Sequence, residues 1–518
     1  MRIRKLLRVR FVVYSFTEQE KIMAELTPMM QKYMETKEQY KDCILFYRLG
    51  DFYEMFFDDA IVASKELEIA LTGKSCGLEE RAPMCGIPYH AVETYLARLV
   101  SRGYKVAICE QVEDPKLAKG LVKREVIRVV TPGTNLDVQS LEASKNNYLM
   151  CIAYTSDGIG ISAADVTTGD YYVTEVEDLR KLKDELMKYE PSEIICNEAF
   201  LVSGYDVEDL KSRLHMSVSS LESHMFDDDG CRRILMRHFK VNTLIGLGVE
   251  EFPTGILAAG ALLQYLYDTQ KTDLEHFTHI SPYLTSKYML LDSSTRRNLE
   301  LTETLREKQK RGSLLWVLDK TKTAMGGRLL RNYIEQPLID KEEMEKRLDA
   351  IQELNQDSIS RDEIREYLNP VYDLERLLSK VTYKTANPRD LIAFRNSLQM
   401  LPPIKTVLSG FQKEELAAIR EEIDGLEDIY QLIDEAIVEE PPISIREGGM
   451  IKDQFDETID HLRAAKHDGK QWLVQLEEED RERTGIKNLK IKKNNVFGYF
   501  FEVTNSYKDL VPEDYIRK

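Results

Sequence analysis

The spacing of hydrophobic and polar residues divides the 518-residue chain into zones with different predicted elements. Between about 27 and 135, short runs of aromatic and β-branched residues alternate with helical spacing, which predicts a mixed α/β unit. Between about 146 and 268, three strand patterns separated by glycine-containing turns predict an antiparallel meander followed by helices. From about 283 onward, strand patterns nearly vanish and long helical patterns predict an elongated α-helical body.

Individual elements can be assigned within the first two zones. The first zone is predicted to contain a helix over 28–40, an aromatic strand within 46–57, a helix capped by Asp58-Asp59 that ends near Leu71, a loop over 83–88, a helix near 91–102 and a strand over 104–109. The second zone is predicted to contain strands over 148–154, 158–165 and 170–177.

The helical body is predicted to end in a long charged helix and a basic hairpin. Its helices are predicted over 292–310, 312–319, 324–333, 340–355 and, as one long helix, 453–483. A hairpin should follow, with strands at 489–491 and 496–503 and with Lys492-Lys493-Asn494-Asn495 between them. Residues 481–518 carry nine basic and five acidic side chains, a surplus of four positive charges in a chain whose net charge is −18. Such a hairpin suits contact with phosphates, although a merely solvated turn is an equally plain interpretation.

Composition indicates a soluble, folded and helix-rich protein of about three or four domains, with 43% hydrophobic and 31% charged residues. The seven cysteines are an odd number without Cys-x-x-Cys spacing, which favours reduced thiols in a cytosol over a disulfide framework or a zinc site. No apolar stretch reaches the length of a membrane span. The basic start of residues 1–22 imitates a signal peptide only faintly, and a second candidate start at Met23 makes this segment look like an upstream appendage.

The aromatic run from Phe46 to Phe57 is the most informative local feature. If the segment is extended, Phe52 and Glu54 share one face while Tyr53 points the other way. Gly50 would then let the backbone approach a ligand closely. A flat ring can wedge into a stack of bases, and a neighbouring carboxylate can accept a hydrogen bond from a displaced base. The plain alternative is a buried strand that turns into a helix.

Several motifs could mislead. Gly73-Lys74-Ser75 resembles the tail of a phosphate-binding P-loop, but the glycine required five residues before Gly73 is Glu68. His276 and His279 have no evident third metal ligand, so a structural role is favoured for both. Asp165 and Asp170 lie near strand ends, yet no set of carboxylates accompanies them as a nuclease would require.

Motifs in a fixed order carry a resemblance to a known family. In the first zone they are Thr27-Pro28-Met29-Met30-Gln31, Gly50-Asp51-Phe52-Tyr53-Glu54-Met55-Phe56, Gly86-Ile87-Pro88-Tyr89-His90-Ala91, Val106-Ala107-Ile108-Cys109-Glu110-Gln111-Val112-Glu113-Asp114-Pro115 and Val129-Val130-Thr131-Pro132-Gly133-Thr134. Farther on they include Leu291-Asp292, Asn298-Leu299-Glu300-Leu301, Gly326-Gly327-Arg328-Leu329-Leu330, Gln336-Pro337-Leu338, Ile445-Arg446-Glu447-Gly448-Gly449 and Glu482-Arg483-Thr484-Gly485. From about residue 24 to its end, the chain resembles the MutS family of DNA mismatch-repair proteins, of the bacterial type.

The resemblance implies a multidomain α+β and α/β fold. Its expected parts are an N-terminal extension (1–23), a mixed α/β mismatch-binding domain (24–137), a connector with an RNase H-like fold (145–268), an elongated α-helical core or lever (283–455) and the start of a clamp domain with a β-hairpin (456–518).

The resemblance also implies the site, the partners and the location. Phe52 matches the family's wedge phenylalanine and Glu54 its mismatch-contacting glutamate. Lys487, Lys492, Lys493 and Asn494 are candidates for contact with the DNA backbone. The expected partners are duplex DNA with mismatches or small loops, a MutL-type repair protein bound through the connector and, in the complete protein, a second copy of the chain. A cytoplasmic, nucleoid-associated location follows.

The chain departs from the family pattern where the ATPase is expected. It stops at Lys518 within the clamp, before the P-loop, the dimer interface and the second half of the lever. The chain up to Lys518 is therefore expected to have no catalytic residue, no metal site and no cofactor, whereas the complete protein would use ATP and Mg²⁺. It is also expected to dimerise poorly.

Two other functions stay open. A related protein could clamp DNA junctions or partner proteins without reading mismatches, and the Phe52-x-Glu54 pair argues against this. The connector could instead be a nuclease, and the missing carboxylate set argues against that.

Overall fold

The computed structural model describes residues 26–113, 120–137, 141–212, 214, 216–494, 498–512 and 514–516. The described residues form two compact units. The first unit runs up to Ala386 and includes Asn396–Gly425, and the second comprises Asn387–Arg395 and the described residues from Leu426 onward.

The first sheet of the first unit presents the aromatic run. Its strands are β1 (Cys43–Leu49), β2 (Phe52–Phe56), β3 (Thr72–Lys74), β4 (Ala82–Pro88), β5 (Lys105–Gln111) and β6 (Arg124–Val130). They lie in the order β3-β4-β2-β1-β5-β6, in which only the β1–β5 pairing is parallel. The accompanying helices are α1 (Pro28–Gln39), α2 (Phe57–Leu67) and α3 (Val92–Val100). Alternating side chains of β2 supply two separate cores, one with Tyr53 and Met55 and the other with Phe56.

A second sheet follows in the same unit. Its strands are β7 (Leu149–Tyr154), β8 (Ile159–Asp165), β9 (Asp170–Val176), β10 (Glu193–Cys196), β11 (Ser217–Ser220) and β12 (Ser281–Pro282), in the order β11-β10-β7-β8-β9-β12. The helices around it are α4 (Leu179–Tyr189), α5 (Glu198–Leu201), α6 (Val207–Ser212), α7 (Asp228–His238) and α8 (Pro253–Gln270). Most of helix α8 is buried against β7 and β8. This close approach requires glycine at position 160, because a Cβ there would lie 1.9 Å from the carbonyl oxygen of Thr254.

Helices dominate the rest of the chain. They are α9 (Ser293–Asn298), α10 (Leu314–Leu318), α11 (Ala324–Glu335), α12 (Lys341–Gln356), α13 (Ser358–Leu368), α14 (Leu374–Thr382), α15 (Pro388–Leu398), α16 (Leu401–Leu408), α17 (Glu414–Glu422), α18 (Glu427–Ala436) and α19 (Glu457–Thr484). In the second unit, α19 ends at Gly485, which has a φ of +70°, and the hairpin strands β13 (Lys490–Asn494) and β14 (Gly498–Glu502) follow. Among the described residues, no helix is both long and apolar enough to cross a membrane.

The predicted mixture of sheets and many helices is confirmed, as is the antiparallel meander of β7, β8 and β9. Several element predictions were wrong. Residues 83–88 form strand β4 rather than a loop, and the long helix predicted over 292–310 is only the six-residue α9. Strands β3, β6, β10 and β11 had no prediction. Strands β3, β10 and β11 have only three or four residues, so their pairing partners, not their own patterns, decide their conformation.

Candidate nucleic-acid interface

The aromatic run folds as a tight hairpin and not as a single strand. Strands β1 and β2 pair antiparallel, with Leu49 opposite Phe52 and Tyr47 opposite Glu54. The turn between them contains Gly50, whose φ of +60° is a conformation that glycine adopts at little cost. A Cβ added to Gly50 would meet no heavy atom within 4 Å. This glycine therefore serves the turn, and the expectation that it lets a ligand approach is not needed to explain it.

Phe52 is exposed at the tip of this hairpin. Its relative exposure is 47%, whereas that of the following Tyr53 is 4%. Pro88 lies opposite Phe52 on β4, so the phenyl ring starts from backbone that is paired on both sides. Single exposed apolar side chains are common in this chain, so the exposure alone is not diagnostic. The position of Phe52 on a backbone that is paired on both sides suits insertion into an apolar partner.

A network of charged and aromatic side chains stabilises the hairpin. The guanidinium of Arg48 donates to Glu110 Oε1 at 3.2 Å and lies 3.8 Å from the centroid of the Tyr89 ring. The Tyr53 hydroxyl donates to the same Glu110 carboxylate. Burial and this carboxylate raise the pKa of Tyr53, so its phenol stays protonated and keeps donating. Arg48 Nε also donates to the carbonyl oxygen of Gly50, which ties the turn to the network.

Glu54 shares the Phe52 face of β2, as the alternation predicts. Its carboxylate accepts a hydrogen bond from Lys74 Nζ at 2.5 Å, and the side chains are 17% and 35% exposed. The Lys74 ammonium also lies 5.5 Å from the centroid of the Phe56 ring. On the neighbouring strand, Gly86 lies opposite Glu54, and a Cβ there would lie 3.6 Å from Glu54 Cγ. That distance is an ordinary van der Waals contact, so Gly86 leaves the Glu54 side chain unobstructed on the β4 side.

The basic hairpin of the second unit has its lysines on strands rather than in its turn. Lys492 and Lys493 lie in β13, where they point to opposite faces, and Asn494 ends that strand. Lys492 pairs with Glu502 at 2.8 Å, and Lys493 Nζ lies 5.4 Å from the centroid of the Tyr499 ring. Lys487 is exposed on the segment before the hairpin. The predicted turn residue Asn495 lies outside the described residues.

Contacts with helix α19 support the base of this hairpin. The backbone N–H of Ile491 donates to Glu477 Oε2 at 2.7 Å, and Arg481 Nε donates to the carbonyl oxygen of Leu489 at 2.8 Å. The rings of Phe501 and Tyr515 stack with centroids 5.3 Å apart. These contacts hold β13 and β14 at the end of the long helix, with exposed lysine side chains along β13.

The motifs that had been set aside have structural roles. Gly73 and Lys74 belong to β3 and pair with β4, which is not the strand-to-helix loop of a nucleotide site. His276 is buried and donates from Nε2 to the carbonyl oxygen of Val166. Asp165 and Asp170 both accept hydrogen bonds from the amide of Asn146. Within the described residues, no group of three or more histidine, cysteine, aspartate or glutamate side chains could hold a metal ion.

Asp59 was wrongly assigned as a helix cap. No side-chain hydrogen bond caps α2, and Asp59 is buried in its first turn. Its carboxylate accepts from the backbone N–H of Leu45 at 2.9 Å and from Lys37 Nζ at 2.9 Å. Desolvation raises the pKa of this carboxyl group, although the ammonium of Lys37 opposes the rise. Asp59 on α2 therefore links this helix to α1 and β1 through hydrogen bonds.

Sequence reasoning missed Lys74, Arg48 and Gly86 as parts of the site. Lys74 is twenty residues from Glu54 and reaches it only because β3, β4 and β2 are neighbours in the sheet. Arg48 lies inside the aromatic run and Gly86 begins a motif of the family resemblance. Their contacts nevertheless depend on the pairing of β1, β2 and β4, which the sequence patterns do not predict.

Three family models match the chain in order. The model of MutS domain I matches residues 27–139, that of MutS domain II matches 147–280 and that of MutS domain III matches 294–510. Together they place an exposed aromatic hairpin in the first of three domains of one family. The chain belongs to the MutS family.

Similar proteins carry the name DNA mismatch repair protein MutS. The protein of Lachnoclostridium phytofermentans is 65% identical over 496 residues, which are 96% of this chain and 53% of that protein. The protein of Ruminiclostridium cellulolyticum is 54% identical over 499 residues, 96% of this chain and 57% of that protein. That of Clostridium tetani is 46% identical over 497 residues, 95% of this chain and 55% of that protein. The chain thus spans about half the length of the curated relatives it matches.

Proposed function

We propose that this chain recognises mismatched or unpaired bases in duplex DNA and so begins mismatch repair. The observation that carries the proposal is the exposed ring of Phe52 at the tip of a braced hairpin, with the Glu54 carboxylate on the same face. Membership of the MutS family supports it, because the similar proteins are named for mismatch repair.

Phe52 acts as a wedge in this mechanism. Its ring enters between base pairs from the minor groove, partly unstacks them and kinks the duplex. Unstacking costs a few kcal/mol, and the cost is lower where pairing is already faulty. The difference in deformation cost therefore selects mismatched sites without any reading of the surrounding sequence. The hydrogen bonds of Arg48 and Tyr53 to Glu110 hold the hairpin in place and support this role. A ring on a mobile loop would move aside and would not unstack the base pairs.

Glu54 contributes a directional hydrogen bond rather than general affinity for DNA. A carboxylate near phosphates is repelled by them, so its presence lowers the affinity for every duplex. It gains a hydrogen bond only where a base edge is exposed, and it thereby increases the difference between mismatched and matched duplexes.

We assign the remaining domains by the same resemblance. The second sheet with its helices is the RNase H-like connector, the helices from 283 to 455 are the core or lever, and the region from 456 onward is the beginning of the clamp. Lys487, Lys492, Lys493 and Asn494 contact the DNA backbone without regard to sequence. The exposed positions of the three lysines support this part of the proposal.

The complete protein is proposed to be an ATP- and Mg²⁺-dependent dimer whose ATPase lies outside this chain. A MutL-type partner would bind it through the connector. The alternative function, a clamp on junctions or partner proteins that does not read mismatches, leaves the exposure of Phe52 beside Glu54 without a purpose.

Competition binding tests the proposal. The chain is bound to a labelled duplex with one mismatch, and unlabelled mismatched and matched duplexes compete for it. The native chain should prefer the mismatched duplex, and Phe52→Ala should bring the ratio of the two affinities close to one while binding to both duplexes persists. Phe52→Tyr, which keeps a flat ring, is the matched control and should keep a preference. An unchanged ratio in Phe52→Ala would remove the wedge from the mechanism.

A further inference from the structure

Lys74, in the Gly73-Lys74-Ser75 tripeptide that resembles a P-loop tail, forms an ion pair with Glu54. Lys74 Nζ lies 2.5 Å from Glu54 Oε2, and both residues project onto the face of the sheet that ends in Phe52. Strand β3 is at the edge of the sheet, two strands away from β2. Lys74 can therefore reach Glu54 and still keep about a third of its own side chain in solvent.

The surroundings of the pair favour one arrangement of the two side chains. The Lys74 ammonium lies 5.5 Å from the centroid of the buried Phe56 ring. The face of an aromatic ring attracts a cation, and a neutral side chain at this position would lack that attraction. Gly86, opposite Glu54, leaves the carboxylate room on the β4 side. The ring contact helps to place the Lys74 ammonium, and the hydrogen bond from Lys74 in turn limits the positions that the Glu54 carboxylate can take.

The pair also changes the charge that a duplex meets. Without a partner, Glu54 would present a whole negative charge beside a ring meant for insertion, and phosphates would repel it. An ammonium 2.5 Å away cancels most of that charge at longer range. A hydrogen bond to a base acts over a much shorter distance, and the carboxylate still has lone pairs to accept one.

We propose that Lys74 is a specificity-determining positioning residue: it holds the Glu54 carboxylate in place beside Phe52 and compensates most of its charge, so that Glu54 can contact a base with less repulsion of the duplex. The inference rests on the proposed function of Phe52 and Glu54. Lys74 itself contacts neither the displaced base nor the stack in this role.

A double-mutant cycle tests the coupling of the two residues. Affinities for mismatched and matched duplexes are measured for the native chain, Lys74→Met, Glu54→Gln and the double variant. Lys74→Met should weaken binding to the mismatched duplex by about three- to tenfold and lower the mismatch preference, because the carboxylate is left uncompensated and less fixed. Glu54→Gln should reduce the preference in the native background, yet strengthen binding to both duplexes in the Lys74→Met background.

Two controls separate positioning from a general loss of positive charge. Lys74→Arg keeps the charge and should retain most of the preference. Lys32→Met removes a lysine of the same domain whose partner is the exposed Glu35, and it should leave the preference unchanged. Thermal unfolding of each variant shows whether the domain stays folded.

Each outcome decides between the two proposals. Additive effects of Lys74→Met and Glu54→Gln on the preference would overturn the role of Lys74 and leave the wedge intact. An equal loss in Lys32→Met would overturn it as well. A native chain with no mismatch preference would overturn both the proposed function and this inference.

Discussion

Phe52 and Phe56 occupy the same face of one strand and have opposite surroundings. Phe52 is 47% exposed, and Phe56 is 1% exposed with its ring centroid 4.9 Å from that of Tyr33. The same side chain thus serves as a candidate contact at one end of β2 and as core at the other. Alternation along the sequence places both on one face, but burial depends on α1, which covers only the end of β2 that contains Phe56.

A buried histidine provides a prediction at the same scale. His276 is 7% exposed, and its Nδ1 has no hydrogen-bond partner in the part of the chain that the structure describes. Burial lowers the pKa of this histidine to about 4, from 6.5. Between these values the unfolded chain binds a proton that the folded chain does not bind. The free energy of unfolding should therefore fall as pH drops from about 6.5 to about 4 and be fully retained above that range, with a total loss of about 3 kcal/mol from this group.

Denaturant unfolding at pH 7.5 and pH 5 checks this expectation. His276→Gln cannot take up a proton, so its stability should change less between the two pH values than that of the native chain. His279→Gln, at an exposed histidine three residues away, should respond to pH as the native chain does. If His276→Gln and the native chain lose the same stability at pH 5, the buried imidazole is not the cause.

At the scale of elements, pairing between strands decides what sequence patterns leave open. The face shared by Phe52 and Glu54 could be predicted, because side chains alternate on a strand whatever its neighbours are. The hairpin turn at Gly50, strand β4 and the reach of Lys74 could not be predicted. Each of these depends on which strands are neighbours, and that information lies in residues distant along the chain.

Helices were predicted more reliably where the helical periodicity extends over many residues. The helices α11, α12 and α19 begin and end within a few residues of their predicted bounds. The exception is the stretch from 292 to 310, where Glu300 and Lys308 have φ values of +48° and +47°. A left-handed backbone at such residues ends a helix, and their sequence gives no warning because neither is glycine or proline.

The basic hairpin gives a prediction that belongs to this scale. Lys492→Gln with Lys493→Gln should weaken binding to all duplexes similarly and reduce the dependence of affinity on salt. Lys492 is already paired with Glu502, so Lys492→Gln alone should have a smaller effect than Lys493→Gln. Glu502→Gln, which releases Lys492 from its partner, should strengthen binding to matched and mismatched duplexes alike. Affinities measured over a series of salt concentrations test this, and a loss confined to the mismatched duplex would contradict a phosphate role.

At the scale of the whole molecule, the order of motifs carried more information than any single motif. Composition and a net charge of −18 indicate only a large, helix-rich protein and argue against a uniformly basic DNA coat. The aromatic run alone was compatible with a buried strand. Three matching domains of one family remove that ambiguity for the family, and the exposed ring of Phe52 then receives a specific proposed role.

The net charge also bears on how discrimination is achieved. A chain with 89 acidic and 71 basic side chains has a net negative charge that opposes binding to a polyanion such as DNA. In the proposed function, general attraction comes from local groups such as the hairpin lysines, and discrimination from the cost of deforming the duplex at Phe52. Weak general binding helps selection, because matched DNA then offers little competition.

Local unstacking at the mismatch is the most direct measure of the central claim. A duplex that carries 2-aminopurine beside a mismatch fluoresces more strongly when that base is unstacked, so titration with the chain reports insertion at the site itself. We predict that the native chain raises the fluorescence of the mismatched duplex and not that of the matched one, and that Phe52→Ala loses this rise while it still binds. An equal rise with bound Phe52→Ala would contradict the wedge.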